Sequence, residues 1–124
     1  MDVLLDTHVM LEMLASGPRA EGEWRDRSIH VSVASLWEIA IKARQGKLNP
    51  AVALADFESQ LEALHWCLLP VTASHAVAEV DPSPQTNDPF DRLLLAVCQV
   101  ENLRLVTRDR KLVDHPLAWK PAAG

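Results

Sequence analysis

Short apolar runs alternate with longer helical patterns along the chain, and this alternation restricts the fold more than any other feature. Strand-like runs are found at 3–5, 29–33, 67–71 and 104–106, and a short edge strand is expected at 117–119. Between them, apolar residues recur with helical periodicity at 34–45, 51–64, 72–80 and 89–101. Because strands that alternate with helices form a parallel sheet covered on both faces, the sequence predicts an α/β fold.

Size and composition are typical of one globular domain, and we expect a single domain spanning 1–124. Apolar residues make up 48% and charged residues 23%, which excludes a disordered chain and a coiled coil. No uncharged stretch reaches the roughly 20 apolar residues that span a bilayer. The first residues lack the basic segment of a secretory signal. We therefore expect a cytoplasmic protein with no membrane partner.

Five acidic residues fall where predicted strands end or predicted helices begin: Asp6, Glu38, Asp88, Asp91 and Asp109. Because the carboxyl ends of parallel strands share one edge of a sheet, we expect these acids to lie on that edge. Each also has a purely structural interpretation. Asp6 with Thr7 can cap the next helix, and Asp88 followed by Pro89 has the pattern of a helix N-cap and N1. The proline-rich segment 81–87 before this cap is expected to be a stiff, exposed loop.

Converging carboxylates repel one another, by about 4 kcal/mol for a pair 4 Å apart at an effective dielectric of 20. Either their pKa values rise or a cation neutralises them. No Lys or Arg lies directly beside Asp6 or Glu38 in the sequence. An all-oxygen ligand set favours Mg²⁺ or Mn²⁺. Such an ion activates water for attack on a phosphoryl group, so the pattern indicates phosphodiester hydrolysis.

Four segments together resemble the acidic motifs of PIN domains, and most closely those of the VapC-like toxins of type II toxin–antitoxin systems. The segments are 4–8 (LLDTH), 35–42 (SLWEIAIK), 87–96 (NDPFDRLLLA) and 105–109 (LVTRD). The resemblance implies a Rossmann-like α/β/α sandwich with a short parallel sheet. It also implies a Mg²⁺- or Mn²⁺-dependent ribonuclease that forms a homodimer, acts on RNA and is neutralised by a cognate antitoxin protein.

The same resemblance implies roles for individual residues. Four acids are implied to be catalytic: Asp6, Glu38, Asp91 and Asp109. Asp6 and Asp91 are implied to hold the metal. The side chains implied to support the site are Thr7, Asp88 and Thr107.

Basic residues near the acidic edge are the candidates for RNA contacts, because a chain with a net charge of −5 repels RNA overall. These candidates are Arg92, Arg108, Arg110 and Lys111.

The cysteines and tryptophans are predicted to be structural. Cys67 and Cys98 lie in apolar runs without a Cys-x-x-Cys motif, so we expect two buried thiols. The tryptophans are expected in the core or in dimer contacts: Trp24, Trp37, Trp66 and Trp119.

One alternative is a catalytically silent PIN-fold module that binds RNA or protein. The complete set of acids argues against it, and an assay for metal-dependent cleavage distinguishes the two. A phosphoaspartate phosphatase would require an Asp-x-Asp start, but position 8 is His. A receiver domain would require paired aspartates near its start, and these are absent from the sequence.

Overall fold

The computed structural model describes residues 2–16, 23–47 and 54–120. Within these ranges a four-stranded parallel sheet has the strand order β3-β2-β1-β4. The strands are β1 (Val3–Leu5), β2 (Ile29–Ser32), β3 (Cys67–Leu69) and β4 (Arg104–Val106). The predicted positions of these strands are confirmed, although β2 and β3 end one and two residues earlier than predicted. The segment expected as an edge strand at 117–119 forms an isolated parallel bridge between Ala118 and Leu105.

Five α-helices connect and cover the strands in the described ranges. They are α1 (Thr7–Ser16), α2 (Val33–Arg44), α3 (Phe57–Ala63), α4 (Ala73–Val77) and α5 (Pro89–Glu101). The predicted bounds of α5 are confirmed, and α2 is shifted by one residue. The helix expected at 51–64 is a 3₁₀ turn at Leu54–Asp56 followed by α3, and its first three residues lie outside the described ranges. Helix α4 is shorter than predicted because the backbone at Ala78 is extended.

The sheet lies between two apolar layers, which confirms the predicted α/β/α sandwich. Alternate residues of β1 face opposite layers, as the period of a strand requires. Val3 and Leu5 pack with Met10 of α1 and Phe57 of α3. On the other face, the layer is formed chiefly by α5, where Leu94 to Cys98 are buried.

Two predictions of burial are wrong. Cys67 is exposed, because β3 is the edge strand of the sheet. In the proline-rich loop, Pro84 and Thr86 are buried. Thr86 turns inward because its hydroxyl is hydrogen-bonded to the start of α5. The other thiol, Cys98, is buried as expected.

Strand β1 occupies the position where the order of the sheet reverses, between β2 and β4. Its last residue, Leu5, is paired with Val106, the last residue of β4. In open α/β sheets, ligands bind beyond the carboxyl ends of the strands at such a switch point. The segments that follow β1 and β4 therefore define the part of the molecule where a functional site is expected. No described helix is both long and apolar enough to cross a membrane.

Candidate active site

Asp6 is fixed at the switch point by the two strands that meet there. Its amide donates to the carbonyl of Val106 at 3.0 Å, which extends the pairing of β1 with β4. One carboxylate oxygen accepts from the amide of Thr7 and the other from the hydroxyl of Thr107, both at 2.7 Å. Asp6 is buried, and this desolvation raises its pKa although both hydrogen bonds act in the opposite direction. Thr107 also accepts from the amide of Asp109 at 3.1 Å, so one hydroxyl connects the first and fourth predicted acids.

Glu38 lies in the second turn of α2 and is 6% exposed. The hydroxyl of Thr7 donates to its Oε1 at 2.8 Å and lies 2.9 Å from the hydroxyl of Ser35. On the other side, the ammonium of Lys42 donates to Oε2 at 2.7 Å. This hydrogen bond to Glu38 raises the pKa of Lys42 and keeps it cationic. A buried carboxylate is thus paired with a cation and a hydroxyl, as burial of a charge requires.

The third motif is a helix start that holds two acids at once. Asp88 caps α5, and its side chain accepts from the amide of Phe90 at 2.8 Å. The hydroxyl of Thr86 accepts from the amide of Asp88 and donates to Asp91, both at 3.1 Å. Burial, followed by the nearby charge of Asp88, raises the pKa of Asp91 to about 6. Asp88 therefore has the structural role that its position predicts. Asp91 is a carboxylate whose charged form is disfavoured by burial and by the neighbouring acids.

The five predicted acids are brought to one edge of the sheet. Besides Asp88, the charges of Asp6 and Asp109 act on Asp91 and raise its pKa. The charge of Glu38 acts on Asp6. Repulsion of this kind between carboxylates is relieved either by raised pKa values or by a bound cation.

The donor set suits a hard divalent ion that is held by few protein ligands. In the described ranges, no three His, Cys, Asp or Glu side chains are grouped so as to hold a metal ion together. Mg²⁺ commonly binds through one or two carboxylates and keeps several waters. Asp6 and Asp91 meet this requirement, because both are carboxylates with raised pKa values and the charge of Asp6 contributes to the raised pKa of Asp91. The residues present therefore fit one such ion.

The four basic residues predicted to contact RNA differ in the contacts they make. The Nε of Arg92 donates to the carbonyl of Thr86 at 2.9 Å, which holds this side chain against the loop before α5. Arg108 is exposed and forms an ion pair with Glu12. Arg110 and Lys111 are exposed on the segment after Asp109. A cavity of about 230 Å³ opens between the first turns of α1 and the segment that follows β4. It is lined by Asp6, His8, Val9, Glu12, Arg108 and Asp109.

Sequence reasoning missed three polar residues of the site. Lys42 follows Glu38 by four residues on one helix, and this spacing favours a Glu–Lys pair. No Lys or Arg is adjacent to Glu38 in the sequence, but Lys42 lies one helical turn away and pairs with it. Thr86 lies two residues before Asp88, the N-cap of α5. Ser35 lies one helical turn before Glu38 on α2. Their side chains come together through tertiary packing, for which the sequence offers no local signal.

Comparison with known proteins agrees with this architecture. The family described as PIN domain matches residues 3–116. The chain belongs to the PIN-domain family. It is 34% identical over 119 residues to Ribonuclease VapC22 of Mycobacterium tuberculosis, covering 91% of both chains. Its fold is similar to that of a chain in a toxin–antitoxin complex from Klebsiella pneumoniae, with a TM-score of 0.60, 17% identity and 98% coverage of both chains.

Proposed function

We propose that this protein is a Mg²⁺- or Mn²⁺-dependent endoribonuclease and the toxin of a toxin–antitoxin pair. The observation that carries the proposal is the convergence of buried and half-buried carboxylates, whose burial and charges raise the pKa values of Asp6 and Asp91, at the carboxyl edge of the sheet. The relative from Mycobacterium tuberculosis is a ribonuclease, and the similarity to it extends over nearly the whole chain.

Asp6 and Asp91 would hold the ion. When bound, it supplies a Lewis acid for a phosphoryl oxygen and a more acidic water as nucleophile. Asp6 is suited to this task because the Thr7 amide and the Thr107 hydroxyl fix the orientation of its carboxylate. Thr86 does the same for Asp91 by donating to its Oδ2.

Glu38 and Asp109 complete the set of acids that we propose to act on the attacking water and the scissile phosphate. Glu38 is held on both oxygens, by Thr7 and by Lys42, so its carboxylate has little freedom to rotate. Asp109 is less constrained, because its side chain accepts from the amide of Lys111 at 2.9 Å in a half-exposed position. Loss of Glu38 is therefore expected to reduce cleavage more than loss of Asp109.

RNA is the proposed substrate, and a cognate antitoxin is the proposed protein partner. Arg108, Arg110 and Lys111 are exposed after β4 and Arg92 is exposed at the start of α5, and these four cations are the proposed contacts to the RNA backbone. We further propose a homodimer that acts in the cytoplasm. The solved toxin–antitoxin complex with a similar fold is consistent with an antitoxin partner.

The test is cleavage of total cellular RNA by the purified protein with Mg²⁺, with Mn²⁺ and with excess EDTA. Asp91→Asn, purified in parallel, controls for contaminating nucleases. We expect cleavage by the parent with either metal and none with EDTA or with the variant. Undiminished cleavage in EDTA that is lost in Asp91→Asn would contradict the metal mechanism. Metal-dependent RNA binding without cleavage would favour the silent module.

A further inference from the structure

Trp37 is the least buried tryptophan among the described residues, and it stands directly beside the acids. Its side chain is 60% exposed on α2, although tryptophan is among the most costly apolar residues to leave in water. Trp37 immediately precedes Glu38. Its ring contacts Phe90, which immediately precedes Asp91, in an edge-to-face arrangement with centroids 5.6 Å apart and planes at 63°.

This aromatic pair spans the same seam between α2 and α5 as the charged groups of the site. Lys42 of α2 is close enough to Asp88 and Asp91 of α5 for their charges to raise its pKa. The Trp37–Phe90 contact therefore lies at the rim of the acid cluster. Because the two rings meet edge to face, Phe90 supports the indole without stacking on it.

We propose that Trp37, buttressed by Phe90, is a stacking platform for an unpaired base of the RNA next to the scissile phosphate. This proposal rests on the proposed function. If Asp6 and Asp91 hold the ion, the scissile phosphate would lie beside them, and the adjoining nucleoside would rest against a neighbouring surface. Bases stack readily on aromatic side chains, and a base in a duplex has no free face to offer.

The size and charge of the surface favour a base over a protein partner. The exposed part of Trp37, together with the partly exposed Val33 one turn earlier, presents roughly 200 Å² of apolar area. A stable protein interface needs about 800 Å² from each partner, of which more than half is apolar. A second copy docked by its own Trp37 would also bring a second set of acids against the first. A neutral, planar base fits the area and adds no charge beside Glu38.

The experiment measures binding of a fluorescein-labelled single-stranded RNA dodecamer by anisotropy. Ca²⁺ replaces Mg²⁺, because it takes oxygen ligands in a looser geometry, and a gel confirms that the RNA stays intact. Trp37→Leu keeps an apolar side chain and removes the ring, whereas Trp37→Phe keeps an aromatic face. We expect Trp37→Leu to weaken binding about 5- to 150-fold, and Trp37→Phe to stay within about 3-fold of the parent. The matched control is Val77→Ala, which removes another exposed apolar side chain on α4.

A second probe isolates stacking from contacts to the phosphates. A dodecamer of abasic nucleotides carries the same charge, so the parent and Trp37→Leu should bind it equally. With Mg²⁺ and cleavable RNA, Trp37→Leu should raise KM more than it lowers kcat.

Each contrary result has a definite meaning. Equal binding of the dodecamer with bases by the parent and Trp37→Leu would overturn the platform and leave the nuclease proposal intact. An equal loss on the abasic probe would overturn stacking as the cause. If Trp37→Leu binds RNA normally but shifts from dimer to monomer in light scattering, the surface is a protein interface and the platform is wrong. Failure of the parent to bind or cleave any RNA would overturn both proposals.

Discussion

Replacing Asp91 by Asn is expected to stabilise the metal-free protein while abolishing cleavage. The pKa of Asp91 is about 6 in the folded protein against an ordinary value of 3.8, and this gap corresponds to at most about 3 kcal/mol. Screening at a half-buried side chain reduces this to about 1.5 kcal/mol. The charge also gains about 0.3–1 kcal/mol at the N-terminus of α5, which the amide forfeits. The net gain for Asp91→Asn is therefore about 0.5–1 kcal/mol.

The gain must depend on pH with a definite sign. Because the folded-state pKa is raised, the folded protein holds its proton at Asp91 more tightly than the unfolded chain does. Parent stability therefore falls as the pH rises from about 4 to above 6, where the carboxylate becomes charged in both states. Asn never ionises, so the advantage of the variant is absent near pH 3.5 and complete above pH 7.

The assay is a set of urea melts in EDTA at several pH values, repeated with Mg²⁺. At a slope of about 1.5 kcal/mol/M, the midpoint should rise by about 0.3–0.7 M at pH 7.5. Mg²⁺ at 100 times its Kd should stabilise the parent by about 2.7 kcal/mol, and the variant much less. Glu79→Gln, which removes an exposed charge, is the control and should change little. A clearly destabilised Asp91→Asn that gains as much from Mg²⁺ as the parent would refute the reasoning and make Asp91 a structural residue.

Three further experiments test other parts of the site. Expression of the parent should arrest growth of the host and Asp6→Asn should not, as measured by plating; arrest by a folded Asp6→Asn protein would favour action by binding alone. Thr86→Val removes the donor to Asp91, so the pKa of that carboxyl should rise above 6 and the pH–rate profile should shift upward, whereas Thr86→Ser should retain the parent profile. Lys42→Met should lower stability by about 1–3 kcal/mol, because Glu38 stays buried without its cation; if adding Glu38→Gln to this variant restores none of the loss in urea melts, the pair does not act through charge.

The fold was largely predictable because its strands are short, apolar and separated by periodic helices. The start of α5 was predictable to the residue, since Asp88 and Pro89 are strong local signals for an N-cap and N1. For α1 the sequence predicts only a cap formed by Asp6 with Thr7, because the nearly continuous apolar run from Val9 to Leu14 shows no helical period. The exposure of Cys67 was not predictable, because strand order decides which strand lies at an edge.

For the site, the sequence predicted the acids and their common edge but not what surrounds them. The spacing of four residues between Glu38 and Lys42 on a predicted helix is enough to predict their ion pair, although the two are not adjacent in the sequence. The inward turn of Thr86 depends on how the loop packs against α5, and no periodicity reports that. Trp37 was expected in the core or in a dimer contact, and its 60% exposure rules out the core of this chain. The single-domain prediction and the roles assigned to the acids remain predictions.

The hydrogen bond from Thr107 to Asp6 joins residues 101 positions apart, and it has a consequence for a chain still being synthesised. Asp6 leaves the ribosome early, but the strand that pairs beside it and the hydroxyl that orients it are made near the end. Contacts between distant parts of a chain form only after the intervening segment exists, and closing so long a loop is slow. The nascent polypeptide therefore carries its first acid without the neighbours that organise it. The site is complete only once β4 has been translated and has paired with β1. A binding partner could therefore bind the nascent chain before it is able to cleave RNA.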